Sequence, residues 1–112
     1  MSEHRSNLPD PVEYVPPKAL QDLFNAQDFT ARATSGQIKI VIRKERHLLF
    51  PVAEAKGMPR CTVGQFVEYL DDQGQWIAQA YQYVKPDGSL GASGKPDPKR
   101  IRQGGKIWAL MR

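Results

Sequence analysis

The residues best suited to bind an anion cluster late in the chain. The run KPDGSLGASGKPDPKR, Lys85 to Arg100, sets three glycines and other small residues between flanking cations. Glycines let a backbone approach a phosphate closely, and successive amides can form an anion-binding concavity. Lys85, Lys95, Lys99 and Arg100 would add charge to it, and Arg102 and Lys106 extend the basic run. Residues 95–112 hold six cations against one carboxylate, Asp97, a local balance of +5 in a chain whose net charge is +4. The remainder is therefore close to neutral. A localised basic patch is the electrostatic footprint of an anionic partner; the plain alternative is a solvated face that aids solubility. Aromatic residues supply a second kind of chemistry. Tyr81 and Tyr83 alternate with Gln82, so an extended backbone puts both rings on one face, where they can stack on bases. Trp76, Ala78 and Ala80 would then lie on the opposite face.

Known phosphate loops match only in fragments. Gly94-Lys95 supplies the end of a Walker A loop, but the first glycine stands at 88 instead of 89, and Pro96 replaces the hydroxyl that would bind magnesium. Gly91-Ala92-Ser93-Gly94 has the G-x-x-G form that clamps nucleic-acid backbone between two helices, whereas its flanks here read as strands. As a structural element the same run is a surface connection: Pro86-Asp87-Gly88 is a turn, and Pro96 and Pro98 stiffen the return.

Catalytic groups are sparse. His47, in the basic stretch Arg43-Lys44-Glu45-Arg46-His47, is the weak candidate for the general acid or base of a small metal-independent ribonuclease, with Arg43 or Arg46 stabilising the phosphorane. The other histidine, His4, lies far off near the N-terminus. Cys61 has no metal-ligand spacing around it and no evident base, which fits an inert thiol. Glu68, Asp71 and Asp72 form an acidic cluster that reads more simply as part of a turn. No cofactor or metal motif is complete.

The elements that must position these residues follow from periodicity. The chain has 112 residues, 40% hydrophobic and 25% charged, a globular composition with one modest core. With one cysteine it forms no internal disulfide. Residues 1–15 lack the apolar core of a signal peptide, and no apolar run reaches the ~20 residues of a membrane span; the expectation is a cytoplasmic protein without membrane contact. Residues 1–15 read as a flexible arm and residues 16–112 as a single α+β domain. Pro16-Pro17 opens a helix over 17–26, with Ala19, Leu20, Leu23 and Phe24 on one face. The alternation of Phe29, Ala31 and Ala33, then Ser35-Gly36, then Ile38, Ile40 and Ile42 predicts strand, turn and strand. Leu48-Leu49-Phe50 suits an edge strand ended by Pro51, and residues 52–57 a helical turn closed by Gly57.

Val63, Phe66, Val67 and Leu70 fit a helical template, but Phe66 to Leu70 is rich in strand formers. A hairpin through Asp71-Asp72-Gln73-Gly74 into residues 75–84 is the favoured reading. A last hairpin pairs Lys99–Gln103 with Lys106–Met111 across Gly104-Gly105. The expected architecture is a mainly antiparallel sheet, or small half-open barrel, with one N-terminal helix packed on it. The function expected of it is a small basic binding module that contacts RNA or DNA phosphate through the C-terminal hairpin. The alternatives are a homodimerising module using an edge strand at 46–50 or 106–111, and the ribonuclease centred on His47.

Overall fold

The computed structural model describes residues 9–91 and 94–111. Pro17 starts helix α1 (Pro17–Ala26), where its missing N–H leaves no hydrogen bond unmade. Along α1, Lys18 pairs with Asp22 at 3.0 Å and Gln21 donates to Asn25 at 2.9 Å on the solvent side. Leu20 and Phe24 are buried on the other side. Asp28 then takes a left-handed conformation (φ 52°), which breaks the helix and redirects the chain.

The segment expected as a strand, Phe29 to Thr34, is instead a short helix, α2 (Phe29–Thr34). Only Phe29 in it is buried, so period-two alternation of phenylalanine and alanines carried little packing information. Alanine favours the helix, and Phe29 is held in place by the core, its ring 5.0 Å from both Phe24 and Tyr69. Ser35-Gly36 closes this helix rather than turning a hairpin: Gly36 adopts φ 87° and donates to the carbonyl of Ala33.

Among the described residues six strands form one sheet: β1 (Val12–Val15), β2 (Lys39–His47), β3 (Val63–Leu70), β4 (Trp76–Val84), β5 (Asp97–Gln103) and β6 (Lys106–Leu110), in the order β1-β6-β5-β4-β3-β2. All neighbours are antiparallel except β1 and β6, which run parallel. Among the described residues the sheet ends in two unpaired edges, β1 and β2, so the expectation of an α+β sheet holds and its barrel form does not. The hairpins through residues 71–75 and across Gly104-Gly105 form as expected, and both of the latter glycines have positive φ. Residues 63–70 are strand rather than helix. Leu48–Phe50 is not a separate edge strand: the Leu48 amide donates to the Thr62 carbonyl at the end of the β2–β3 ladder, and Phe50 begins a third helix, the short α3 (Phe50–Ala55). Val12–Val15, counted with the arm, lies in the sheet beside β6, and so β6 is not an edge. Residues 1–8 of that arm lie outside the described residues.

The core sits on one face. Helix α1 packs across β5 and β6. Leu20, Phe24, Phe29 and Ile38 close over Val67 and Tyr69 of β3, Ala78 and Ala80 of β4, and Ile101 of β5, with Val15, Leu23, Trp108 and Leu110 at the margin. Alanines at 78 and 80 leave room for the rings that bridge helix and sheet. Tyr69 meets Phe24 edge-on at 5.6 Å, an arrangement favoured by the ring quadrupoles.

Burial of Tyr69 raises its phenol to about 12. Its folded pKa lies above the unfolded value, so its contribution to stability is complete below pH ~10 and is lost as the pH rises through about 12. We expect denaturant-measured stability to fall by on the order of 2 kcal/mol across that interval, and Tyr69→Phe to flatten the slope. An equal slope in both proteins contradicts it.

Candidate functional site

With α1 and α2 on one side, most of the other face of the sheet is open; the end of α3 reaches it only at Tyr83, over which Lys56 lies. Strand alternation assigns its side chains. Phe66 and Glu68 of β3 lie between Lys44 and Val41 of β2 and Tyr81 and Gln79 of β4. Arg100 of β5 stands opposite Gln79, and Ala109 of β6 follows, then Tyr14 of β1. Two hollows meet at Phe66. One, of about 610 Å³, is lined by Lys44, Glu45, Arg46, Gly64, Phe66 and Tyr81, with Glu45 engaged by Gln65 Nε2 at 2.7 Å. The other, of about 570 Å³, is lined by Tyr14, Phe66, Gln79, Lys99, Arg100 and Met111.

Three irregularities interrupt the ladder, and two of them bring extra charge here. Arg43 is an additional residue in β2 between Ile42 and Lys44, and Lys99 one in β5 between Pro98 and Arg100. A bulge re-aims side chains locally, so Lys99 and Arg100 line the same hollow. The third irregularity, at Ile77 in β4, places Trp76 opposite Leu70 and beneath Arg102. Trp76 therefore does not share a face with Ala78 and Ala80.

The only carboxylate of β3, Glu68, is compensated. It accepts from Arg43 Nε at 2.8 Å and from Gln79 Nε2 at 2.7 Å. Burial by itself would raise its pKa, but the two hydrogen bonds and the Arg43 charge outweigh this and hold it below the usual value. In contrast the side chains of Lys44, Arg46 and Arg100 make no hydrogen bond or ion pair among the described residues. Lys99 is only loosely engaged, with exposed Asp97 at 2.9 Å. The aromatic surface is ordered by its own contacts. Tyr81 and Tyr83 meet edge to face at 5.3 Å, and Lys56 covers Tyr83 at 5.4 Å. Tyr81 lies over Gly64, where a Cβ would run into the tyrosine hydroxyl.

The structure divides the residues singled out by sequence. Tyr81, Tyr83, Lys99 and Arg100 share the open face. Arg102 is at its margin, stacked on Trp76 at 4.3 Å and ion-paired with Asp10. Lys106 lies on the helix side, paired with Glu13 at 2.8 Å and over Trp108 at 4.8 Å. Lys95 lies beside Phe24, Phe29 and Pro96, also on the helix side. Lys85 belongs to the turn after β4, its carbonyl accepting from Gly88. The basic C-terminal segment is thus not one surface. The G-x-x-G run falls partly outside the described residues. His47 ends β2 opposite Val63, on the face away from Lys44 and Arg46, and Arg43 is committed to Glu68; the ribonuclease constellation is not brought together. Phe66, Tyr14 and Lys44 were not singled out as site residues, and Arg46 only as a stabiliser of the phosphorane beside His47, with Lys44 and Arg46 both on β2. For the two cations, the period-two pattern through β2 was the available signal.

Among the described residues no group of histidine, cysteine, aspartate or glutamate is arranged to hold a metal ion, and no helix is long and apolar enough to cross a membrane. No family model, curated protein or solved structure matches the chain.

The Gly64–Tyr81 contact can be isolated by a double-mutant cycle. Gly64→Ala should cost about 1–3 kcal/mol by forcing the ring aside. In a Tyr81→Ala background the same substitution should cost far less, and additive costs would deny the contact. The Glu68 network should weaken on acidification: its stabilisation is complete above the unfolded carboxylate pKa and is lost as the pH falls through the lower folded value. Glu68→Gln should reduce the acid-side slope of stability; an unchanged slope would remove Glu68 as its source.

Proposed function

We propose that the protein is a binding module that holds single-stranded nucleic acid across the open face of its sheet. The observation that carries this reading is the meeting of two hollows at Phe66, with Tyr81 and Tyr14 beside it and uncommitted cations at both sides. Aromatic faces stack on bases of any sequence, while Lys and Arg track the phosphates. Lys44 and Arg46 on one flank and Lys99 and Arg100 on the other suit a strand laid across β2 to β5. Six strands span roughly 24 Å, enough for a few nucleotides. A double helix has its bases stacked inside and presents little for Phe66 to stack on, so a single strand fits better. The C-terminal hairpin contributes through β5 in this arrangement, not through its whole basic run.

The test is fluorescence anisotropy with a labelled single strand of about 12 nucleotides, as RNA and as DNA, beside a duplex of equal length. Affinity for the single strand should fall with salt with a log–log slope of about −3, for four phosphate contacts. Phe66→Ala should weaken binding by roughly 1–3 kcal/mol, and Arg46→Ala with Arg100→Ala should flatten the salt slope. Lys106→Ala should leave both unchanged. Absence of binding at about 50 mM salt, or a preference for the duplex, overturns the reading.

A further inference from the structure

The sheet's two edges are unlike. β1 is four residues long and is flanked by Pro11 and Pro16, which cannot donate to an added strand. β2 is nine residues long, contains no proline and, among the described residues, hydrogen-bonds on one side only, to β3. Its outward backbone groups form a template for strand addition.

The side chains of β2 specify what would be added. Ile40 pairs with Tyr69 and Ile42 with Val67, so both lie on the helix side of the sheet. The helical layer does not reach them: Ile40 is 44% and Ile42 52% exposed. On the other side of the strand stand Lys39, Lys44 and Arg46, without ion-pair partners among the described residues. The strand carries four cations against Glu45, and Glu45 accepts from Gln65 Nε2 at 2.7 Å. A second copy of β2 would bring two such strands about 4.8 Å apart, with like charges facing across the pair, which is destabilising.

We propose that the β2 edge binds an extended segment of a partner protein in which acidic and β-branched residues alternate. Main-chain hydrogen bonds to β2 supply the pairing. One side of the added strand covers Ile40 and Ile42, and the other sets carboxylates opposite Lys39, Lys44 and Arg46. The charge pattern selects an acidic partner over self-association.

The probe is a fluorescein-labelled peptide of four Val-Glu repeats, compared with four Ser-Glu repeats and four Val-Lys repeats. Val-Glu should bind at least about tenfold more tightly than either control. Alternate amides of Lys39–His47 should become protected from hydrogen exchange on binding. Ile40→Lys combined with Ile42→Lys, with folding checked by circular dichroism, should abolish the advantage of Val-Glu over Ser-Glu. Equal affinity for Ser-Glu in the parent protein would reduce the effect to general charge attraction and overturn the proposal. So would unchanged exchange along β2, or a dimer in which those amides are protected without peptide.

Discussion

Every other feature of the molecule depends on the closure of Leu20, Phe24 and Phe29 over Val67, Tyr69, Ala78, Ala80 and Ile101. It is a one-sided contact. A sheet must bury at least one face to be stable in water, and two adjoining helices supply the cover. The alanines of β4 permit the close approach, and the bulky rings come from helix and from β3. Because α1 and α2 cover one side, most of the opposite face, apart from Tyr83 beneath Lys56, is left to meet solvent or a ligand. The division of labour between the faces follows from strand alternation alone, since a one-residue slip would exchange them.

Departures from regular pairing give the open face its character. The extra residues Arg43 and Lys99 bend their strands and concentrate cations on either side of Phe66. Glu68 would oppose an anionic ligand, but Arg43 neutralises it locally and Gln79 occupies its second oxygen. At the other end Asp10 and Glu13 engage Arg102 and Lys106, tying residues on either side of β1's start to the last hairpin. These cations, prominent in the sequence, are therefore structural partners first. Net charge along a stretch of chain measures neither which side of a sheet a side chain takes nor which carboxylate it meets.

Some elements were legible before folding because their signals are local. Pro16-Pro17 and the spacing of Leu20, Leu23 and Phe24 mark α1, and Gly104-Gly105 marks the last turn, where positive φ is needed at both positions. The shared face of Tyr81 and Tyr83 followed from period two. Trp76 broke the same rule because a single added residue, Ile77, intervenes in the pairing with β3. Phe29–Thr34 was misread because an alternation of small residues is compatible with either backbone, and only contact with Phe24 and Tyr69 decides it. Phe66 was read as a strand former, which it is; its exposure depends on which face the helices cover.

By itself the sequence determined the helix start, the hairpin turns, the strand periodicity and the location of charge along the chain. Each depends on backbone freedom or side-chain spacing within a few residues. The tertiary structure alone decided that β1 shields β6 while β2 remains an edge, that Lys95 and Lys106 part company with Arg100, and that Phe66 joins Tyr14 and Tyr81. These depend on strand order and on the burial of one face, which are set by contacts between residues far apart in the chain.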